Sequence, residues 1–106
     1  MLLLRIPAFS PSAWEDFVVS FKDNHRATIV GEQTAGSSGQ PYQHHFENGM
    51  VFGLSTKREF MPEGAPFEGV GIAPDIQMHP HAADLAAGRD PVLDKALSLA
   101  KNSSTQ

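Results

Sequence analysis

Two short apolar segments flank an amphipathic segment within the first 30 residues, and this order constrains the fold more than any other feature of the chain. Residues 2–6 are apolar apart from Arg5, and residues 27–30 form a run rich in β-branched side chains. Between them, apolar residues recur at the helical positions i, i+3, i+4 and i+7, namely Trp14, Phe17, Val18 and Phe21. A buried strand, a helix over 13–24 and a second buried strand predict a βαβ crossover with a parallel strand pair.

The next part of the chain predicts a hairpin followed by irregular structure. The pair Asn48-Gly49 is typical of a type I′ turn, because both residues tolerate a positive φ. Apolar residues alternate on either side of this pair, which predicts strands over 42–47 and 50–56. Residues 57–75 contain many Gly and Pro residues, so we expect them to be mostly irregular.

The C-terminal part predicts a short strand and a second helix. Residues 76–78 form the strand, and Asp90 with Pro91 starts the helix as cap and first helical residue. We therefore expect a single α/β domain over 1–101, with a small mixed sheet, two main helices and one β-hairpin. A polar, disordered tail over 102–106 is expected to follow.

Composition excludes several classes of protein. The 106 residues include no Cys, which excludes disulfides, thiolate zinc sites and a Cys nucleophile. A net charge of -4, with eight scattered Lys and Arg residues, gives no basic surface for nucleic acid. Residues 1–6 are too short to cross a bilayer, which takes roughly 20 apolar residues, and they lack the features of a signal peptide. Because the chain opens directly on a predicted buried strand, we expect it to be cut from a longer protein.

Ser12 is the first candidate for chemistry, because it lies where a strand turns into a helix. With Glu15 three residues later it forms a capping-box pattern, in which the Glu15 carboxylate reaches back to the Ser12 amide. A hydroxyl at a helix N-terminus also stands beside free amides that stabilise an oxyanion, as in nucleophile elbows. The local pattern alone is compatible with a cap or with a nucleophile.

Four segments resemble the C-terminal processing, or tail-specific, serine peptidases, in the order in which that family has them. The first, Ser-Pro-Ser-Ala-Trp-Glu-Asp-Phe over 10–17, is similar to the family's Thr-x-Ser-Ala-x-Glu-Asp/Glu-Phe segment. The others lie at 26–36, at 67–76 with its Gly-Ile-Ala-Pro-Asp sequence, and at 88–97 with its Asp-x-x-Leu-x-x-Ala helix. Together they cover most of the chain, which makes the resemblance more specific than any single segment.

The resemblance implies a ClpP/crotonase-like ββα architecture, present here in part, and a serine peptidase that needs no cofactor. It aligns Ser12 with the nucleophile and implies an oxyanion hole made by the Ala13 amide and by upstream backbone. The loop with Thr34, Ala35 and Gly36 would line the substrate groove. Substrates would be unfolded or C-terminal peptide segments, and the family's usual location favours the bacterial cell envelope.

The sequence departs from the family at the general base. Peptidases of the Ser-Lys type have a Lys at the position where this chain has Ser37, and a hydroxyl cannot act as a base at neutral pH. The chain therefore resembles the branch of the tricorn core peptidase and the retinoid-binding repeat proteins, which also lacks this Lys. In that branch the base is a distant upstream His, which would lie before Met1, and Glu68 matches an orienting carboxylate. Glu68 is also compatible with a solvated loop carboxylate.

The histidines offer weaker alternatives. His44 and His45 are adjacent, so on a strand they point to opposite faces and cannot share a metal ion. His79 and His81 could share one, but no third ligand accompanies them, so we expect no metal site. A local base for Ser12 from His44 or His45 stays open.

Three functional interpretations follow. The first is the C-terminal portion of a serine peptidase domain, which takes a peptide or protein substrate and does not bind nucleic acid or insert into membranes. The second is a non-catalytic module of the same fold that binds a peptide or an apolar ligand. The third is a stand-alone α/β domain. An open sheet edge predicts a homo-oligomer or association with an upstream domain.

Overall fold

A parallel three-stranded sheet forms the centre of the computed structural model, which describes residues 2–7 and 11–104. Strand β1 (Leu2–Ile6) pairs in parallel with β2 (Ala27–Gly31), and the helix between them, α1, spans Ala13–Asp23. The short strand β5 (Ile76–Gln77) pairs in parallel with the other edge of β2. The predicted βαβ crossover is confirmed. Ser10 of the predicted turn and the tail residues 105–106 lie outside the described residues.

A separate antiparallel hairpin replaces the expected mixed sheet. Strands β3 (Pro41–His45) and β4 (Val51–Ser55) pair with each other and not with the central sheet. The hairpin occurs where Asn48-Gly49 predicts it, but the turn is not of type I′, because only Gly49 of the two has a positive φ. The Gly49 amide donates to the Phe46 carbonyl oxygen at 3.0 Å, and Asn48 Oδ1 accepts from the Met50 amide at 3.1 Å. A type I turn followed by a left-handed glycine explains these bonds.

The described part of the chain forms three helices, one more than the sequence predicted. The additional helix α2 spans Ala82–Ala86, and Asp84 stabilises its start by accepting from the His81 amide at 3.1 Å. Helix α3 spans Pro91–Ser103 and begins at Asp90 as predicted, with the Asp90 carboxylate accepting from the Leu93 amide. This helix continues two residues into the predicted tail. Among the described residues, no helix is both long and apolar enough to span a membrane.

The two long helices cover opposite faces of the sheet. On one face, Val18 of α1 packs with a core of buried apolar side chains contributed by both strands and by a later loop: Ile6, Ile29 and Ile72. On the other face, Val92 and Ala96 of α3 are buried, and Arg5 forms an ion pair of 2.9 Å with Asp90. The strand β1 was expected to be fully buried, but it is an edge strand in which only Ile6 is buried.

The buried stripe of α1 differs from the predicted one. Of the apolar residues at helical spacing, Trp14 and Phe17 are largely exposed and stack on each other, with ring centroids 5.5 Å apart. Val18 is fully buried as predicted, but the other fully buried residue of α1 is Glu15, which lies outside the predicted stripe. A carboxylate can be buried only where donors replace its lost water, and the site described next supplies them.

Candidate active site

Ser12 occupies a strained bend at the start of α1. Its backbone has φ 59° and ψ -128°, a combination that costs a residue other than glycine of order 1–3 kcal/mol. The Ser12 amide donates to the Ser37 carbonyl oxygen at 2.7 Å, and the residue is exposed. The bend therefore presents Ser12 to solvent at a helix N-terminus, as a nucleophile elbow does.

The backbone amide that follows the serine donates to no other described residue. The Glu15 and Asp16 amides both donate to the Ser12 carbonyl oxygen, at 2.7 and 3.3 Å. The Ala13 amide has no acceptor among the described residues. Free N–H groups at a helix start, together with the helix dipole, favour negative charge beside them. The amide that the family resemblance assigns to an oxyanion hole thus lies next to Ser12 and donates to no described residue.

Glu15 fastens the loop after β2 to this bend. Its carboxylate accepts from the Thr34 hydroxyl at 2.5 Å, the Gly36 amide at 2.6 Å and the Ser37 amide at 2.8 Å. It also accepts from the Ser12 amide at 3.1 Å, which is the carboxylate half of the predicted capping box. The sequence pattern found Glu15 as a cap but gave no sign of its three bonds to the loop.

Only one of the three residues that were predicted to line the substrate groove is exposed. Thr34 is buried, and its hydroxyl accepts from the Ile72 amide at 2.8 Å while it donates to Glu15. Gly36 is also buried, whereas Ala35 between them is exposed. Thr34 and Gly36 therefore support the loop from inside, and Ala35 is the member of the three that faces solvent.

Glu68 bonds to Ser38, which follows the residue that contacts Ser12. Its Oε2 accepts from both the amide and the hydroxyl of Ser38, each at 2.9 Å. Ser38 is buried, and its neighbour Ser37 bonds to the Ser12 amide. The structure thus brings Glu68 to the loop that borders Ser12, but no described hydrogen bond joins Glu68 directly to Ser12.

A charged cluster lies one helical turn beyond Ser12. Lys57 forms an ion pair with Glu59, and this hydrogen bond raises the pKa of Lys57 and lowers the pKa of Glu59. Loss of solvation raises the pKa of Asp16, and its hydrogen bond to Glu59 raises it further. Because the Lys57 amine is held in its charged form, it is unsuited to act as a general base at neutral pH.

The histidines are engaged elsewhere. His44 packs edge-on against Phe46 in the exposed hairpin, with ring centroids 4.7 Å apart, and no described hydrogen bond joins it or His45 to Ser12. His79 Nδ1 contacts Glu32 Oε1 at 2.7 Å, and His81 precedes α2. In residues 2–7 and 11–104, no group of three or more His, Cys, Asp or Glu side chains could hold a metal ion.

The strain at Ser12 predicts that glycine at this position stabilises the fold. We expect Ser12→Gly to be more stable than Ser12→Ala by about 1 kcal/mol, because glycine adopts a positive φ without steric cost. Both variants lose the hydroxyl, so Ser12→Ala is the matched control. Urea denaturation followed by circular dichroism measures the difference. Equal free energies of unfolding would show that the bend carries no strain.

Comparisons with known proteins agree on one family. The family model of peptidase family S41 matches residues 4–78. A carboxy-terminal-processing protease of Bartonella bacilliformis is 32% identical over 96 residues, which cover 90% of this chain and 22% of that protein. The chain therefore spans about a fifth of the length of this curated relative.

Solved structures give the same result. Mature CPAF superposes with a TM-score of 0.71 at 32% identity, over 77% of this chain and 16% of that chain. The tricorn protease superposes with a TM-score of 0.89 over 98% of this chain and 10% of that chain, and at 20% identity it supports the fold alone. The family that the sequence segments resemble is thus confirmed: the chain belongs to peptidase family S41.

Proposed function

We propose that this chain forms the nucleophile-bearing portion of a serine peptidase domain that hydrolyses peptide bonds in unfolded or C-terminal segments. The observation that carries the proposal is the exposed, strained Ser12 at the start of α1, followed by the Ala13 amide, which has no acceptor in the described part of the chain. Membership of family S41 supports it. The similarity to the tricorn protease fold supports the finer assignment of a partial ClpP/crotonase-like ββα architecture within a single domain over 1–101.

In the proposed reaction, Ser12 Oγ attacks the carbonyl carbon of the scissile peptide and gives its proton to a general base. The Ala13 amide stabilises the oxyanion that forms, and the leaving amine receives the proton as the peptide bond breaks. Water then hydrolyses the acyl-enzyme. Glu68 orients the Ser37–Ser38 backbone, and the exposed residue Ala35 contacts the substrate. Ser37 stands at the position of the Lys base in the Ser-Lys peptidases, so the general base is a group other than the residues that contact Ser12 here.

A peptide or protein substrate and a second polypeptide are the partners that fit this proposal. An extended peptide would add to the strand edge beside the 34–36 loop through main-chain hydrogen bonds. Within the described residues, β1 pairs on one side only, which leaves an edge open to another strand. We therefore propose association with a second copy or with an upstream domain.

Labelling with a fluorophosphonate probe tests the nucleophile. We expect Ser12 to be modified slowly, and we expect added imidazole to accelerate the reaction because imidazole accepts the hydroxyl proton as a general base. Ser12→Ala should abolish labelling. Ser20→Ala, which removes another exposed hydroxyl of the same helix, should leave it unchanged. Mass spectrometry of the labelled peptide identifies the site.

The same experiment distinguishes the second candidate function. The absence of a Lys at Ser37 favours a non-catalytic module that binds peptides. A folded chain that reacts no faster than Ser12→Ala in the presence of imidazole would overturn the peptidase proposal. Binding of an extended peptide by that unreactive chain would support the binding module.

A further inference from the structure

Glu15 is buried completely although it carries a carboxylate, and this burial needs an electrostatic explanation. It lies in the first turn of α1, with no exposed surface. Burial removes the water that an ionised carboxylate requires, so each oxygen must find donors in the protein. Oε1 accepts from Thr34 Oγ1 and the Gly36 amide, and Oε2 accepts from the amides of Ser12 and Ser37.

These bonds exceed what a helix cap needs. A capping-box Glu satisfies one orphan amide, that of the N-cap residue, and it does so on the protein surface. Three of the four donors to Glu15 come instead from the loop after β2, which lies 19 to 22 residues away in sequence. The carboxylate is therefore a link between two chain segments rather than only a helix start.

The hydrogen bonds of Glu15 form a closed set that includes the proposed nucleophile, Ser12. The Ser12 amide donates both to Glu15 Oε2 and to the Ser37 carbonyl oxygen, while the Ser37 amide donates to the same Oε2. This closed set of bonds ties both the bend and the loop to one carboxylate. An unusual backbone conformation persists only where its surroundings hold it, and Ser12 has such a conformation.

The link also reaches the segment that carries Glu68. The Thr34 hydroxyl bonded to Glu15 accepts from the Ile72 amide, and the Thr34 amide donates to the Ile72 carbonyl oxygen at 3.1 Å. Glu68, on the same segment, holds Ser38 at the other end of the loop.

We infer that Glu15 is a positioning residue, whose buried carboxylate holds Ser12, the Ala13 amide and the 34–38 loop in the geometry needed for attack. This inference rests on the proposed function of Ser12.

Glu15→Gln tests the inference, because it preserves size but leaves one acceptor oxygen and places an NH₂ group against backbone donors. With a fluorophosphonate peptide in the presence of imidazole, we expect the maximal rate of Ser12 modification to fall about 100-fold, as small misplacements of reacting groups do. The concentration of probe giving half-maximal rate should stay within about threefold, since Glu15 is buried and does not touch the probe. Asp16→Asn, which removes a charge from the same helical turn, should change the maximal rate less than threefold.

Two further measurements keep the test independent of folding and of the nucleophile proposal. Thr34→Val removes one neutral donor to Glu15 together with the acceptor of the Ile72 amide, and it should lower the rate about 10-fold while the chain stays folded. In NMR spectra, the Gly36 and Ser37 amides should exchange with solvent at least tenfold faster in Glu15→Gln, while the Val30 amide of β2 retains its protection. If the wild-type chain is not labelled, the proposed function fails, and the amide exchange still decides whether Glu15 holds the loop.

The outcomes that overturn the inference are specific. A folded Glu15→Gln variant with a wild-type maximal rate would exclude a positioning role. Unchanged exchange of the Gly36 and Ser37 amides would do the same. An Asp16→Asn variant as slow as Glu15→Gln would assign the effect to charge at the helix start rather than to the link with the loop.

Discussion

Gly71→Ala is expected to lower the free energy of unfolding by about 4 kcal/mol. A Cβ atom at this position would lie 2.0 Å from the Thr34 carbonyl oxygen and 2.8 Å from its carbonyl carbon. Both atoms belong to the backbone, so no side-chain rotation relieves the overlap, and the cost reaches that of strong overpacking. Gly71 also has φ +81°, which adds about 1 kcal/mol for a residue with a side chain.

Gly69→Ala is the matched control for this prediction. Gly69 has a similar φ of +74°, but a Cβ atom there would meet no atom within 4 Å. Gly69→Ala should therefore lower the free energy of unfolding only by the conformational cost of about 1 kcal/mol. Urea denaturation of both variants measures the difference. Equal losses would show that the close approach of the 67–72 segment to the 34–38 loop does not stabilise the fold.

The elements that the sequence predicted well are those with local signals. The β-branched run of β2 and the Asp90-Pro91 start of α3 are features of neighbouring residues, and both occur where expected. The Asn48-Gly49 pair located the hairpin for the same reason, although the turn geometry differs. Helix α2 was missed because its start depends on His81 and Asp84, a combination that lacks the usual capping residues.

The site was predictable only in part, because its key contacts join distant segments. Ser12 was found from the bend between strand and helix together with the family segments. Glu15 matched an ordinary cap, and the donors that explain its burial lie on a loop whose position depends on the folded sheet. The same tertiary bonds turn Glu15 towards the protein interior and leave Trp14 exposed, against the apolar periodicity of the helix.

Ile72→Ala is expected to lower the free energy of unfolding by about 2–5 kcal/mol, as truncation of fully buried aliphatic side chains does. Ile72 is 2% exposed and packs with Ile6, Val18 and Ile29 at the centre of the core. Its two hydrogen bonds with Thr34 use backbone atoms of residue 72, so the substitution leaves them in place. Calorimetric melting and urea denaturation measure the loss.

Val70→Ala provides the comparison within the same segment. Val70 is 56% exposed, so its truncation should change the free energy of unfolding by about 0.5 kcal/mol or less. A similar loss of stability in both variants would contradict the assignment of Ile72 to the core.

Because Ile72→Ala weakens the core but keeps the bonds to Thr34, the folded variant should retain the Ser12 labelling rate. Gly71→Ala displaces the loop backbone itself and should lose that rate even where it remains folded. The effects on stability and on Ser12 reactivity should therefore differ between these two adjacent residues, since Ile72 anchors the segment in the core and Gly71 fits it against the 34–38 loop.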